Sequence, residues 1–260
     1  MDAYEVLAVR YATRETVASQ VYLNHHVYAE PDRPMRMDYF FWVLRNDVRT
    51  IVVDTGFTPQ VGDRRGRTTT CGVPEALRRL GIDPAAVGQV VVTHAHYDHA
   101  GNLGLFGAAE VLISNAEFEF WTGPYAWRVQ FGHSAERADV EELARLARAG
   151  RLTRFTGRHR PAPGVELQEV GGHTPGQVIA LVRAAGGTVV LASDAVHYYE
   201  ELDRDRPFVA VADLRAMYAG FDRIRALAED AVLVPGHDPE VLTRFPPLDP
   251  ADPGFAVRVG

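Results

Sequence analysis

Apolar residues fall into short, punctuated runs along this chain. Residues 4–11 (YEVLAVRY), 38–45 (DYFFWVLR) and 50–54 (TIVVD) are rich in β-branched and aromatic side chains, which predicts three strands, the last two joined by a turn at Asn46-Asp47. The runs at 88–94 (GQVVVTH) and 109–114 (AEVLIS) are apolar almost throughout, the pattern of strands covered on both faces. Residues 73–81 predict a short helix that starts near Pro74 and stops at Gly81. Residues 136–149 put Val140, Leu143, Leu146 and Ala147 on one helical stripe, with Gly150 as terminator. The second half repeats the style. Strands are predicted at 165–170, 178–184, 188–194 and 231–237, and Asp213 can cap a helix whose apolar face carries Leu214, Met217, Phe221, Ile224 and Ala228. Strands alternating with helices in both halves predict two central sheets with helices outside. The Pro-rich stretches 31–34, 161–163 and 246–253 read as loops, and with no linker or repeat a single domain over residues 1–260 is expected.

Composition narrows the chemistry. All 27 basic residues are arginine, so Schiff-base, pyridoxal-phosphate and P-loop lysine mechanisms are excluded. Cys71 is the only cysteine, which excludes an internal disulfide, a zinc finger or a CxxC redox pair. The four serines, Ser19, Ser114, Ser134 and Ser193, lie outside any G-x-S-x-G elbow. A net charge of −7 speaks against nucleic acid or an anionic membrane as partner. The acidic start MDAYEVLAVRYATRE and the lack of a long apolar run lead to the expectation of a cytoplasmic protein.

One segment carries most of the chemistry. Thr93-His94-Ala95-His96-Tyr97-Asp98-His99-Ala100-Gly101 follows directly on a buried strand. In extended chain His94 and His96 point the same way and can reach one cation, while Asp98 and His99, where the chain turns, can face a second. Four such groups converging at a buried strand end would be costly unless a metal satisfied them. His173 in Gly-Gly-His-Thr-Pro-Gly, Asp194 at the end of TVVLASD and His237 at the end of AVLVPGH sit at further strand ends, and complete a set of five histidines and two aspartates.

In this set, H-x-H-x-D-H followed in order by His173, Asp194 and His237, the chain resembles the metallo-β-lactamase-fold hydrolases. Asp54 in Val-Asp-Thr-Gly matches that family's early aspartate, which supports the metal loops from behind. The resemblance implies an α/β fold (α+β in some schemes), a four-layer αββα sandwich with two metals at one edge. His94, His96 and His173 would hold one ion, Asp98, His99 and His237 the other, and Asp194 would bridge them. These ligands suit two divalent ions, zinc first, with iron, manganese or cobalt as alternatives. Two such ions share a hydroxide at neutral pH that can attack an acyl or phosphoryl centre, with Asp98 orienting the water or taking its proton.

Within the superfamily the chain most resembles the N-acyl-homoserine lactonases and related small-lactone hydrolases, which implies ring opening of a lactone and, for acyl-homoserine lactones, quorum quenching. A glyoxalase-II-like thioesterase or another metal-dependent ester or phosphodiester hydrolase is the alternative. Those lactonases carry a Tyr three residues after the bridging Asp that helps bind or protonate substrate. Here the position is His197, which can donate a proton to a leaving alkoxide, with Tyr198 or Tyr199 as substitutes. His26, in the loop Asn24-His25-His26-Val27-Tyr28, and Tyr198 are candidate pocket residues. A homodimer is expected from the resemblance, with Tyr39, Phe40, Phe41 and Trp42 as either core or interface.

Overall fold

Successive residues of a strand point to opposite faces, and here both faces are apolar. In the computed structural model, which describes residues 3–260, this single property produces four layers. The strands are β1 (Glu5–Val17), β2 (Pro34–Arg45), β3 (Thr50–Val53), β4 (Thr68–Thr69), β5 (Gln89–Val91), β6 (Glu110–Ser114) and β7 (Leu152–Phe155), followed by β8 (Arg158–Ala162), β9 (Val165–Glu169), β10 (Val178–Ala184), β11 (Gly187–Ser193), β12 (Ala231–Pro235) and β13 (Ala256–Arg258). The first sheet has the order β13-β1-β2-β3-β5-β6-β7, with β4 paired to β1; the second has the order β12-β11-β10-β9-β8. From β3 to β7 the first sheet is parallel, whereas in the second only β11 and β12 run parallel.

Three buried clusters follow from the alternation. Val6, Ala8, Phe40, Trp42, Val53, Val91 and Leu112 of the first sheet meet Leu167, Val178, Ala180, Val182, Val189 and Leu191 of the second. The intervening residues of the first sheet, such as Leu7, Val9, Phe41, Val52, Val90 and Ile113, pack on the helices Val73–Arg79 and Arg137–Arg148 through Ala76, Leu77, Val140, Leu143 and Leu146. On the far side, Ile179, Val190 and Ala192 pack on Met217, Phe221 and Ile224 of the helix Leu214–Ala228, capped by Asp213 Oδ1 accepting from Ala216 N–H at 2.9 Å. Each fully buried Leu, Ile, Val or Phe contributes roughly 1.5–3 kcal/mol, so the layer order is strongly specified. The arrangement is helix, sheet, sheet, helix: the αββα sandwich.

Several boundaries differ from the sequence reading. Pro34 opens β2 instead of closing a loop; at a strand's first position its missing N–H costs little. Pro161 lies in β8, at a register irregularity between His159 and Ala162 that tolerates it. The run at 88–94 pairs only over Gln89–Val91, and its last residues leave the ladder toward the site. The helices Pro59–Arg64, Asn115–Trp121 and Tyr199–Arg204 are too short to show a periodic stripe and were not anticipated. Tyr39, Phe40, Phe41 and Trp42 are all inside this chain, at most 1% exposed, which makes them core and leaves no interface role for them. No helix among the described residues is long and apolar enough to cross a membrane.

Candidate metal centre

The candidate ligands leave the C-terminal ends of strands in both sheets. Beyond β5 the chain leaves the ladder, bends at Thr93 and again at His96, and His96 is the residue before the short helix Tyr97–Ala100 that carries Asp98 and His99. The other three come from the second sheet. His173 follows two glycines with φ of +67° and +92°; a Cβ on Gly172 would stand 2.6 Å from Met217 Cα, so only glycine lets this turn lie against the helix behind it. Asp194 follows β11 and His237 follows β12, whose ends approach so closely that a Cβ on Gly236 would meet Ser193 O at 2.7 Å.

The side chains form two groups. His94, His96, His173 and Asp194 offer ligand atoms that all lie within 4.8 Å of one another, and so do Asp98, His99 and His237. The Asp194 carboxylate faces both. Its Oδ2 is 3.4 Å from His173 Nε2 and 3.7 Å from His94 Nε2, while its Oδ1 is 3.2 Å from His99 Nε2 and 3.1 Å from His237 Nε2.

Polar groups behind the ligands fix which ring atom faces inward. His173 Nδ1 donates to Ala210 O at 2.8 Å and His237 Nδ1 to Asp38 O at 2.8 Å, so Nε2 of each ring keeps its lone pair for the site. His99 Nδ1 donates to Asp54 Oδ2 at 2.7 Å. Asp54 also accepts from Thr93 N–H at 2.8 Å and Thr93 Oγ1 at 2.7 Å, and it holds a left-handed backbone (φ +61°) to do so. Strain of order 1–3 kcal/mol at a non-glycine residue persists where the surroundings demand it. Glu117 plays a comparable part for the first group and was missed by sequence reasoning. Its Oε1 accepts from Ala95 N–H, between His94 and His96, at 2.8 Å and from Trp121 Nε1 at 2.6 Å, and its Oε2 from Gly176 N–H in the His173 turn at 3.0 Å.

The donor set fits divalent cations. His94 Nε2, His99 Nε2 and Asp194 Oδ1 are buried without a hydrogen-bond partner, which a native site tolerates when an ion completes it. Burial holds His94 and His96 well below the ordinary imidazole range, and His173 is pulled down to about 3, so these rings are neutral lone-pair donors. Burial acts on His99 in the same direction, but Asp194, Asp54 and Asp98 outweigh it and raise the ring well above its usual value. Five imidazoles and two carboxylates suit zinc and other first-row divalent metals.

The sequence pattern of the metallo-beta-lactamase superfamily matches residues 38–237. The chain belongs to that superfamily. It is 24% identical over 227 residues to an N-acyl homoserine lactonase of a Bacillus species, covering 81% of this chain and 85% of the relative. It is 30% identical over 237 residues to the N-acyl homoserine lactonase AiiB of Agrobacterium fabrum, covering 79% and 80%. Among solved structures, an N-acyl homoserine lactone hydrolase with the product N-hexanoyl-L-homoserine bound at its catalytic metal center superposes with a TM-score of 0.79 at 19% identity, over 98% of this chain and 100% of that one; this likeness is one of fold.

Around the two histidine–aspartate groups lies a cavity of about 190 Å³, lined by Met37, Tyr39, Phe208, Val209 and Ala210 together with Asp98 and Asp194. His197 also lines it, buried behind Asp194: Nε2 is 3.0 Å from Asp194 Oδ2 and Nδ1 3.3 Å from Glu201 Oε1. Neither contact has hydrogen-bond alignment, and both ring nitrogens are buried without a partner. The ring stacks on Phe208 at 3.7 Å between centroids. Burial draws His197 down, yet Asp194 and Glu201 outweigh it and the ring stands at about 9.

The two proposed pocket residues do not reach this cavity. His26 is exposed on the turn His25–Tyr28 and is absent from the cavity wall. Tyr198 is buried facing away, its hydroxyl donating to Arg36 O at 3.1 Å and its ring beside Tyr22. Tyr199 donates to Leu233 O at 3.1 Å, so neither tyrosine hydroxyl can replace His197. Tyr39 is a core residue that also walls the cavity, and its ring lies 5.0 Å from that of His237.

Proposed function

We propose that this protein is a dinuclear metal-dependent hydrolase that opens a lactone ring. The observation that carries the reading is Asp194, whose two carboxylate oxygens each face a separate group of imidazoles. Relatives of 24–30% identity that are N-acyl homoserine lactonases support a lactone over other esters. His94, His96, His173 and Asp194 would hold one cation and Asp98, His99 and His237 the other, with zinc as first candidate. Bound there, two divalent ions would polarise the ester carbonyl and make water nucleophilic at neutral pH.

The chain's own groups do the rest. Asp98 opens onto the cavity and lies 3.9 Å from both His99 Nε2 and His237 Nε2, placed to orient the attacking water and take its proton. Water adds its oxygen to the acyl carbon, the ring C–O bond breaks, and the leaving alkoxide receives a proton to give the hydroxy acid. His197 is the candidate donor of that proton, its ring stacked on Phe208 and its backbone N–H donating to Glu201 Oε1 at 2.9 Å. Tyr39, Met37 and Phe208 limit the water around the reacting atoms.

The test is a panel on metal-loaded protein: acyl-homoserine lactones of several chain lengths, γ-, δ- and aromatic lactones, a thioester and a phosphodiester. Turnover of lactones, read by proton release, is expected, together with about two ions per chain by metal analysis. Turnover of the thioester alone would overturn the reading. Asp98→Asn should lower kcat at least about 100-fold, in the range of a lost general acid–base group. Full activity in that variant with both metals retained would remove Asp98 from the mechanism.

A further inference from the structure

Two arginines open onto the same cavity without a carboxylate partner. Arg14 and Arg67 both line it. In the β1–β2 ladder Arg14 stands opposite Met37, and Ala12 opposite Tyr39, so Arg14, Met37 and Tyr39 share one face. Other arginines of this strand pair have a carboxylate in reach: Arg10 and Arg36 share Asp38 Oδ2, at 3.5 and 3.2 Å. Among the described residues no carboxylate reaches Arg14 in this way, and its Nε is buried without a partner. Arg67 is held by neutral acceptors, Nε donating to Tyr97 Oη at 3.0 Å and Nη1 to Arg65 O at 2.5 Å; Asp98 acts on its charge across the cavity but makes no ion pair with it.

A half-buried cation without a counter-ion costs free energy that a leucine or glutamine of similar size would not. Asp98 and Asp194, the carboxylates of this cavity, face the histidines, where cations would take them up. A direct ion-pair partner for the two guanidiniums is left for a ligand to supply. At about 190 Å³ the cavity is also below the roughly 300 Å³ where sites for drug-sized ligands begin.

We infer that the substrate is a small lactone that carries its own carboxylate, held by Arg14 and Arg67 while the ring carbonyl faces the two histidine–aspartate groups that would hold cations. Guanidinium matches a carboxylate in a planar, two-point contact, whereas a neutral acyl amide would leave both charges unmatched. The inference rests on the lactonase reading and names its substrate class.

The experiment compares γ-butyrolactone bearing a ring carboxylate with the same ring bearing a carboxamide, a neutral compound of nearly equal shape. The wild-type holoenzyme should prefer the carboxylate at least tenfold in kcat/KM, with most of the difference in KM. Arg14→Gln should bring the ratio within about threefold of unity, and Arg14→Lys should keep it clearly above that of the Gln variant. Equal rates on the two rings in wild type, or an unchanged ratio in Arg14→Gln, overturns the inference. Calorimetric titration of both compounds separates it from the reaction. If neither ring is opened but the carboxylate still binds at least tenfold tighter through Arg14, the anion site stands and the lactonase reading falls. If lactones are opened but the carboxylate has no binding advantage, the reverse holds.

Discussion

Replacing Glu117 by Gln removes one charge and about one atom's worth of hydrogen-bonding capacity while keeping the shape. Glu117 is fully buried and its two oxygens accept from three N–H groups, of Ala95, Trp121 and Gly176. A glutamine can set its carbonyl oxygen against Ala95 and Trp121, but its amide NH2 then confronts Gly176 N–H. One charge-assisted hydrogen bond is lost and a buried donor is left facing another donor, together worth about 2–4 kcal/mol. For a chain of this size that lowers Tm by roughly 5–12 °C. The Ala95 and Gly176 ends belong to the His94–His96 segment and the His173 turn, so the displaced contact also separates ligands of one group, and metal affinity should fall 10- to 100-fold. The assay is urea denaturation of chelated wild type and variant, followed by a metal titration of each. A stability change under about 0.5 kcal/mol with unaltered metal affinity would refute the reasoning.

Three further outcomes are expected. Gly176→Ala should destabilise by at least about 3 kcal/mol or prevent folding, because its Cβ would stand 2.1 Å from Ser114 Oγ and 2.2 Å from Glu117 N; a soluble variant of normal midpoint would contradict this close packing. Burial, reinforced by Glu136 and opposed by Arg65, pushes the Asp139 carboxyl up to about 7, with Oδ2 unpartnered. The native state then binds a proton that the unfolded chain gives up near pH 4, so this group's contribution to stability declines as pH rises from about 4 to about 7. Asp139→Asn should flatten that decline by on the order of 1–3 kcal/mol between pH 5 and 8; parallel pH profiles for the two proteins would refute it. Stripping metal should lower the denaturation midpoint, since ligand bound only by the folded state adds about 2.7 kcal/mol at a hundredfold excess over Kd, and equal midpoints with and without chelator would tell against a resident ion.

The parts legible in the sequence were those set by local periodicity or by dense polar spacing. Strands such as β3, β6, β10 and β11 announce themselves because both faces are buried, and H-x-H-x-D-H is dense enough to mark a site without any fold. Long-range placement was not legible. Glu117 sits in NAEFEFW, where an acidic residue in a helix reads as solvated; only the fold reveals that it points at two backbone N–H groups, 22 and 59 residues away. His26 and Tyr198 are close in sequence to plausible pocket segments, yet a turn and a one-residue change of direction send them elsewhere. Arg14 carried no signal because an arginine on a strand reads as surface, and its lack of a partner is a property of the assembled sheet pair.

His94, His96, Asp98 and His99 hang from one sheet, while His173, Asp194 and His237 hang from the other. Neither half owns a finished binding place. On the proposed function, capture of an ion would wait until the halves have docked, which would make metal loading one of the last events in maturation. An N-terminal fragment that stops before β8 should emerge without tight affinity for zinc, however well its own strands pair.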